Sequence, residues 1–141
     1  MPERRSLYRA VNRAQNNQRP NIPQNLAEVV IADPYDKSSS GARFLQYDNQ
    51  NPRNRIILFY TVEGLQHLCG SRQVFCDGTF KTTPRLFCQH YTFHGIILNQ
   101  PFPLVYGLTT RKTRATYEEM LRHLINHAAE LSYRFEPQVM L

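Results

Sequence analysis

From residue 116 to about residue 132 the apolar side chains recur at a single helical spacing. Counted from Tyr117, the residues Met120, Leu121, Leu124, Ile125, Ala128 and Leu131 follow at 3, 4, 7, 8, 11 and 14 positions. This is the pattern of a helix with one buried face. Thr116 and Glu119 read as a T-x-x-E capping box opening that helix. A one-faced helix needs a layer to lie on, and the preceding residues supply one. Arg72–Lys81 (RQVFCDGTFK), His90–Leu98 (HYTFHGIIL) and Phe102–Thr109 (FPLVYGLT) read as three strands, with turns at Pro84 and at Asn99-Gln100-Pro101. After Pro137, Gln138–Leu141 opens another apolar strand. The expected class is α/β. Short turns make the first three strands an antiparallel meander. A crossover helix then returns the chain for a strand parallel to one of them, in the right-handed sense.

Upstream the pattern is mixed. Residues 5–15 place Leu7, Ala10, Val11 and Ala14 on one side of a short basic helix. Asn16 to Gln24 (NNQRPNIPQ) is a polar linker punctuated by proline. Leu26–Ile31 is β-branched enough for a strand, and Arg43–Tyr47 and Ile56–Thr61 read as two more around DNQNPRNR. The continuously apolar IILFYT should be buried on both faces. Thr61 can cap a short helix, VEGLQHLC, ending at Gly70. The organisation expected is a basic helix and linker over 1–24, an α+β lead-in over 25–70, and a strand–helix unit over 71–141.

Charge divides the chain unevenly. The 141 residues carry 17 Lys+Arg against 11 Asp+Glu, a net charge of +6. Arg4, Arg5, Arg9, Arg13 and Arg19 lie in the first twenty positions with only Glu3 opposing them. Arg72, Lys81, Arg85, Arg111, Lys112 and Arg114 lie between Ser71 and Ala115, with Asp77 the one acid. Two basic stretches suit a polyanion, nucleic acid being the commonest, or else a solvated surface. Three cysteines without paired spacing exclude a self-contained disulfide framework and suit a reducing compartment. No apolar run approaches the roughly 18 residues of a membrane helix. The N-terminus lacks the apolar core of a secretory signal. No membrane partner is expected.

Asp77 stands mid-strand in Phe75-Cys76-Asp77-Gly78-Thr79. A carboxylate there must be paired, solvated or metal-bound, and Gly78 beside it permits close approach of backbone or ligand. The alternative is an Asp near a strand end, paired with a neighbouring Lys or Arg.

The ordered run Asp77, Gly78, Thr79, Phe80, Lys81, Pro84, Phe87, Gln89, Tyr91, Thr92, His94, Pro103, Tyr106, Lys112, Thr113, Tyr117 and Pro137 resembles the Mutator-like (MULE) transposase domain. Arg43-Phe44-Leu45 and Ile56-Ile57-Leu58-Phe59 are similar to the lead-in of relatives carrying a FLYWCH zinc finger. The resemblance implies a ribonuclease-H-like core, here partial: the meander, the crossover helix and the start of a fourth strand. It also implies DDE chemistry, in which three carboxylates hold two Mg²⁺ or Mn²⁺ ions for DNA strand cleavage and transfer, and a nuclear or other intracellular location. Asp77 matches the first acid and would be both catalytic residue and metal ligand, with Gly78, Thr79 and His94 as its support. The second acid would follow Leu141 at once, and the third lies further on. A single carboxylate cannot hold two ions, so the chain is expected to be a truncated or domesticated relative, inactive alone.

Lys81, Arg85, Arg111, Lys112 and Arg114 are the candidates for contact with DNA phosphates, since all fall in or near turns. The other partner to expect is a second copy or another protein pairing along an open sheet edge. His123 and His127 stand four apart on the helix but show no third ligand, so no zinc is expected. His90 and His94, four apart on a strand, are too distant for one ion. His94 suits packing or a hydrogen bond beside Asp77. Glu118, Glu119 and Glu130 fall mostly on the solvent side of the helix. Cys69, Cys76 and Cys88 are read as small buried hydrophobes.

Overall fold

A computed structural model of the chain describes residues 23–80 and 83–140. The basic segment 5–15, with the helix expected there, and Lys81 lie outside the described residues. The regular elements are β1 (Leu45–Asp48), β2 (Ile56–Phe59), α1 (Val62–Cys69), β3 (Gln73–Thr79), β4 (Gln89–Ile97), β5 (Gln100–Thr109), α2 (Arg114–Glu130) and β6 (Val139–Met140). The fold is mixed α/β: an open sheet in the order β1-β2-β5-β4-β3-β6, with β1 to β5 antiparallel throughout and β6 parallel to β3.

The expected meander is β3-β4-β5. Its second turn is Leu98-Asn99, both residues at positive φ (52° and 64°) between the paired Ile97 and Gln100. Two left-handed residues match the twist of a tight hairpin. The lead-in strands join this sheet, because β2 pairs with β5 from Ile56↔Thr109 to Phe59↔Tyr106. That pairing explains the buried IILFYT run: Ile56, Ile57 and Leu58 are fully buried.

Both helices pack on one face of the sheet. Leu65 and Leu68 of α1 and Met120, Leu124 and Ala128 of α2 share a core with Ile56, Leu58, Tyr60, Val74, Phe93 and Val105. Burying each of the larger side chains contributes about 1.5–3 kcal/mol. The opposite face carries Phe44, Phe59, Tyr106 and His90 in ring contact at centroid separations of 5.6–6.0 Å.

Four local expectations are corrected. Leu26–Ile31 is not a strand; Leu26–Glu28 is a 3-10 turn. Asn25 Oδ1 accepts from the Glu28 N–H, and the Glu28 carboxylate accepts from the Gln24 N–H. This reciprocal cap outweighs the β-branched propensity of the run.

The cap of α2 is Thr113, whose side chain accepts from the Thr116 N–H, so the helix begins at Arg114. Thr116 is fully buried and donates to Asn54 Oδ1 at 3.0 Å. Glu119 is not on the solvent side: it accepts from Tyr47 Oη at 3.0 Å and Asn49 Nδ2 at 2.7 Å. Both supposed capping residues thus hold the asparagine-rich loop between β1 and β2. Ile125, expected on the buried stripe, is 47% exposed.

The cap of α1 is Thr61 and its end is Gly70, as the sequence predicts.

Candidate nucleic-acid interface and a second polar cluster

β3 and β5 run in the same direction, each antiparallel to β4. The segments that follow them therefore emerge at one end of the sheet, where β2 also begins. That end collects Arg85 in the β3–β4 turn, Arg111 and Lys112 in the β5–α2 connection and Arg114 at the first position of α2, all exposed. Lys112 Nζ lies 5.0 Å over the ring of Phe80, a cation–π contact that joins the two connections. Arg114 pairs with Glu118 at 2.7 Å across an exposed helical turn.

Asp77 sits in β3, two residues from this end, opposite Thr92 and exposed. Its side chain makes no ion pair or hydrogen bond with the described residues. Its face of the sheet is the one the helices leave uncovered. His94 stands on that face opposite Phe75, two pairs further along, and His90 opposite Thr79. Thr79 accepts through its carbonyl from Thr83 Oγ1 at 2.7 Å, which closes the start of the connection.

Gly78 turns the other way, toward the helices. A Cβ there would lie 3.0 Å from Gln89 Oε1 and 3.4 Å from Tyr91 Cδ2. The close approach that glycine permits is thus filled by the chain's own side chains. Gln89, nearly fully buried, bonds Tyr117 Oη through its amide at 3.2 Å. The rings of Tyr91 and Tyr117 lie 5.2 Å apart. Gly78, Gln89, Tyr91 and Tyr117 form one packed layer beneath the strand that carries Asp77. Burial pushes the Tyr91 hydroxyl and the Cys76 thiol up from their ordinary pKa values. Both stay protonated at neutral pH.

The residues present do not fit a two-metal centre. Among the described residues, no three His, Cys, Asp or Glu side chains are grouped around Asp77 or elsewhere to hold an ion.

The structure assembles a second cluster at the opposite side of α2. Tyr60, at the end of β2, is fully buried, and its Oη lies 2.8 Å from His123 Nε2 and 2.5 Å from His127 Nδ1. The Tyr47 ring stacks on His123 at 4.4 Å between centroids. Burial, and then the charge of His127, hold the His123 pKa below the ordinary histidine value. Burial raises Tyr60, and raises Tyr47 to about 12. Both histidines line a cleft of about 550 Å³ with Arg43, Glu119, Arg122 and Glu130. The His-x-x-x-His spacing is legible in the sequence, but Tyr60 is 63 residues from His123 and carries no local signal linking them.

Scans against protein-family models, curated proteins and solved structures find no match. No helix among the described residues is long and apolar enough to cross a membrane.

Proposed function

We infer that the chain is a relative of the Mutator-like transposase domain, with a partial ribonuclease-H-like fold, that binds the DNA backbone in the nucleus or elsewhere inside the cell. The observation that carries this reading is the convergence of Arg85, Arg111, Lys112 and Arg114 on the end of the sheet nearest Asp77. The order β5-β4-β3-β6, with α2 as the crossover to a parallel strand, supports the fold assignment. The motif residues Gly78, Gln89, Tyr91 and Tyr117 support it further, because they meet in one layer under β3. The family's divalent ions do not fit the carboxylates present, so no strand-cleavage step is assigned. Phosphate contacts of this kind give affinity and salt dependence without sequence reading. Fluorescence anisotropy with a labelled duplex should show binding that weakens steeply with salt; absence of binding at low salt sinks the reading.

One observation favours a second reading, a protein-pairing module. β6 pairs only with Gln73 and Val74, leaving Phe75 to Thr79 of β3 without a strand partner on that edge among the described residues. An open edge is a template for another strand. Size-exclusion chromatography with and without DNA separates the two: self-association that DNA does not alter favours pairing.

A further inference from the structure

We propose that Tyr60, His123 and His127 form a binding site for a divalent transition-metal ion such as Zn²⁺, separate from the Asp77 region. His123 and His127 stand one turn apart on α2, and each directs one ring nitrogen at the same atom, Tyr60 Oη, at 2.8 and 2.5 Å. Two imidazole nitrogens therefore lie within hydrogen-bond distance of one phenol oxygen, which brings three potential metal donors into one cluster. His-x-x-x-His lacks a third ligand in the sequence, and β2 supplies it from 63 residues away. No trio of His, Cys, Asp or Glu is available among the described residues, so the phenol is the necessary third donor.

The donors are held in place before any ion arrives. Tyr60 is fully buried in the core, and the ring of Tyr47 stacks on His123. Zinc takes N and O ligands at about 2.0–2.2 Å in a tetrahedron, which sets neighbouring donors roughly 3.3 Å apart. Each imidazole nitrogen must draw back from Tyr60 Oη by less than about 1 Å, and the cleft beside both imidazoles gives room for it. The fourth position faces that cleft. Glu119 is committed to Tyr47 and Asn49, which leaves water to fill it. Arg43 and Arg122 on the cleft wall offset the charge of Glu119 and Glu130, so the cleft does not attract cations as such. Selection then rests on the imidazoles, which suit Zn²⁺, Ni²⁺ and Cu²⁺ and not the hard ions Mg²⁺ and Ca²⁺.

The test is titration of the full chain with Co²⁺, followed by its visible ligand-field absorption, with Zn²⁺ added to displace it. One equivalent should produce a saturable band that Zn²⁺ abolishes and excess Mg²⁺ leaves alone. His127→Gln and Tyr60→Phe should each weaken binding by about tenfold or more, while Asp77→Asn leaves it unchanged. Melting curves without metal establish that each variant is folded, and His123→Asn replaces any variant that is not. No saturable band at one equivalent, or a band that survives either His127→Gln or Tyr60→Phe, overturns the site. The outcome is independent of DNA binding, which the same preparations report by anisotropy.

Discussion

The guanidinium of Arg55 and the carboxylate of Asp48 form a two-pronged ion pair, Nη2 to Oδ2 at 2.7 Å and Nε to Oδ1 at 3.1 Å. Their side chains are only 6% and 13% exposed. The same guanidinium donates to the carbonyls of Leu26 and, at 2.7 Å, Val29. One arginine thus ties the 3-10 turn to the β1–β2 hairpin. Removing one partner of a buried pair leaves an uncompensated charge, costing about 3–5 kcal/mol. Asp48→Ala should therefore shift the urea midpoint strongly, whereas Arg114→Ala, which breaks an exposed pair, should leave it nearly unmoved. Equal shifts for the two would contradict this account.

The buried hydroxyl of Thr116 bonds Asn54 of the asparagine loop and also lies 3.0 Å from the hydroxyl of Thr113, the helix cap. Thr113→Ala should cost about 1 kcal/mol by removing the true cap of α2. Thr116→Val keeps the shape but removes the bond to Asn54, at about 1–2 kcal/mol. Hydrogen exchange distinguishes them. Thr116→Val should accelerate amides in residues 49–56, and Thr113→Ala those in the first turn of α2. The reverse pattern would restore the capping box at Thr116.

Gly95 is fixed by packing. A Cβ there would meet Leu104 Cδ1 and Ser71 Oγ, each at 2.7 Å. Ser71 Oγ already accepts from the Ile96 N–H and donates to the His67 carbonyl, and so has little freedom to move. Gly95→Ala should destabilise by about 1–3 kcal/mol through overpacking, read from thermal or chemical melts. A neutral result would mean that α1 shifts freely over β4.

DNA binding should follow charge at one end of the sheet. Arg111→Ala and Lys112→Ala should each lower affinity for any duplex and reduce the salt slope by about one. Arg43→Ala lies toward the opposite end and should change neither. Anisotropy titrations across a salt series check this, and equal losses for all three would indicate a diffuse charge effect.

Thiol chemistry follows from burial. The Cys69 and Cys76 thiols sit above their ordinary pKa because burial disfavours the thiolate. The reactive fraction at a given pH is therefore smaller than for a free cysteine. Alkylation of both at pH 8 should be slow in the folded chain, quicken as pH rises, and become fast in denaturant. Rapid labelling at pH 8 without denaturant would show that the end of α1 and strand β3 open readily.

Much of the architecture is legible in local patterns. The stripe from Tyr117 to Leu131 marks α2, Thr61 and Gly70 bracket α1, and the apolar run from Ile56 announces a doubly buried strand. These signals survive because periodicity and end-capping act over a few residues. The failures share the opposite character. Thr116 and Glu119 match a cap, yet Asn54 and Asn49 compete for them from another loop. Gly78 looks like room for a ligand, yet Gln89 and Tyr91 fill it from the next strand.

By itself, then, the sequence determined the run of strands and helices, the basic excess and the ordered motif around Asp77, because each is written in neighbouring residues. Only the tertiary structure decided what those residues face. It joined β2 to β5, brought the cations after β3 and β5 to one end of the sheet, and set Tyr60 between two histidines of α2. Such contacts depend on strand direction and register, which bring together side chains up to seventy-two positions apart and which no short-range pattern encodes.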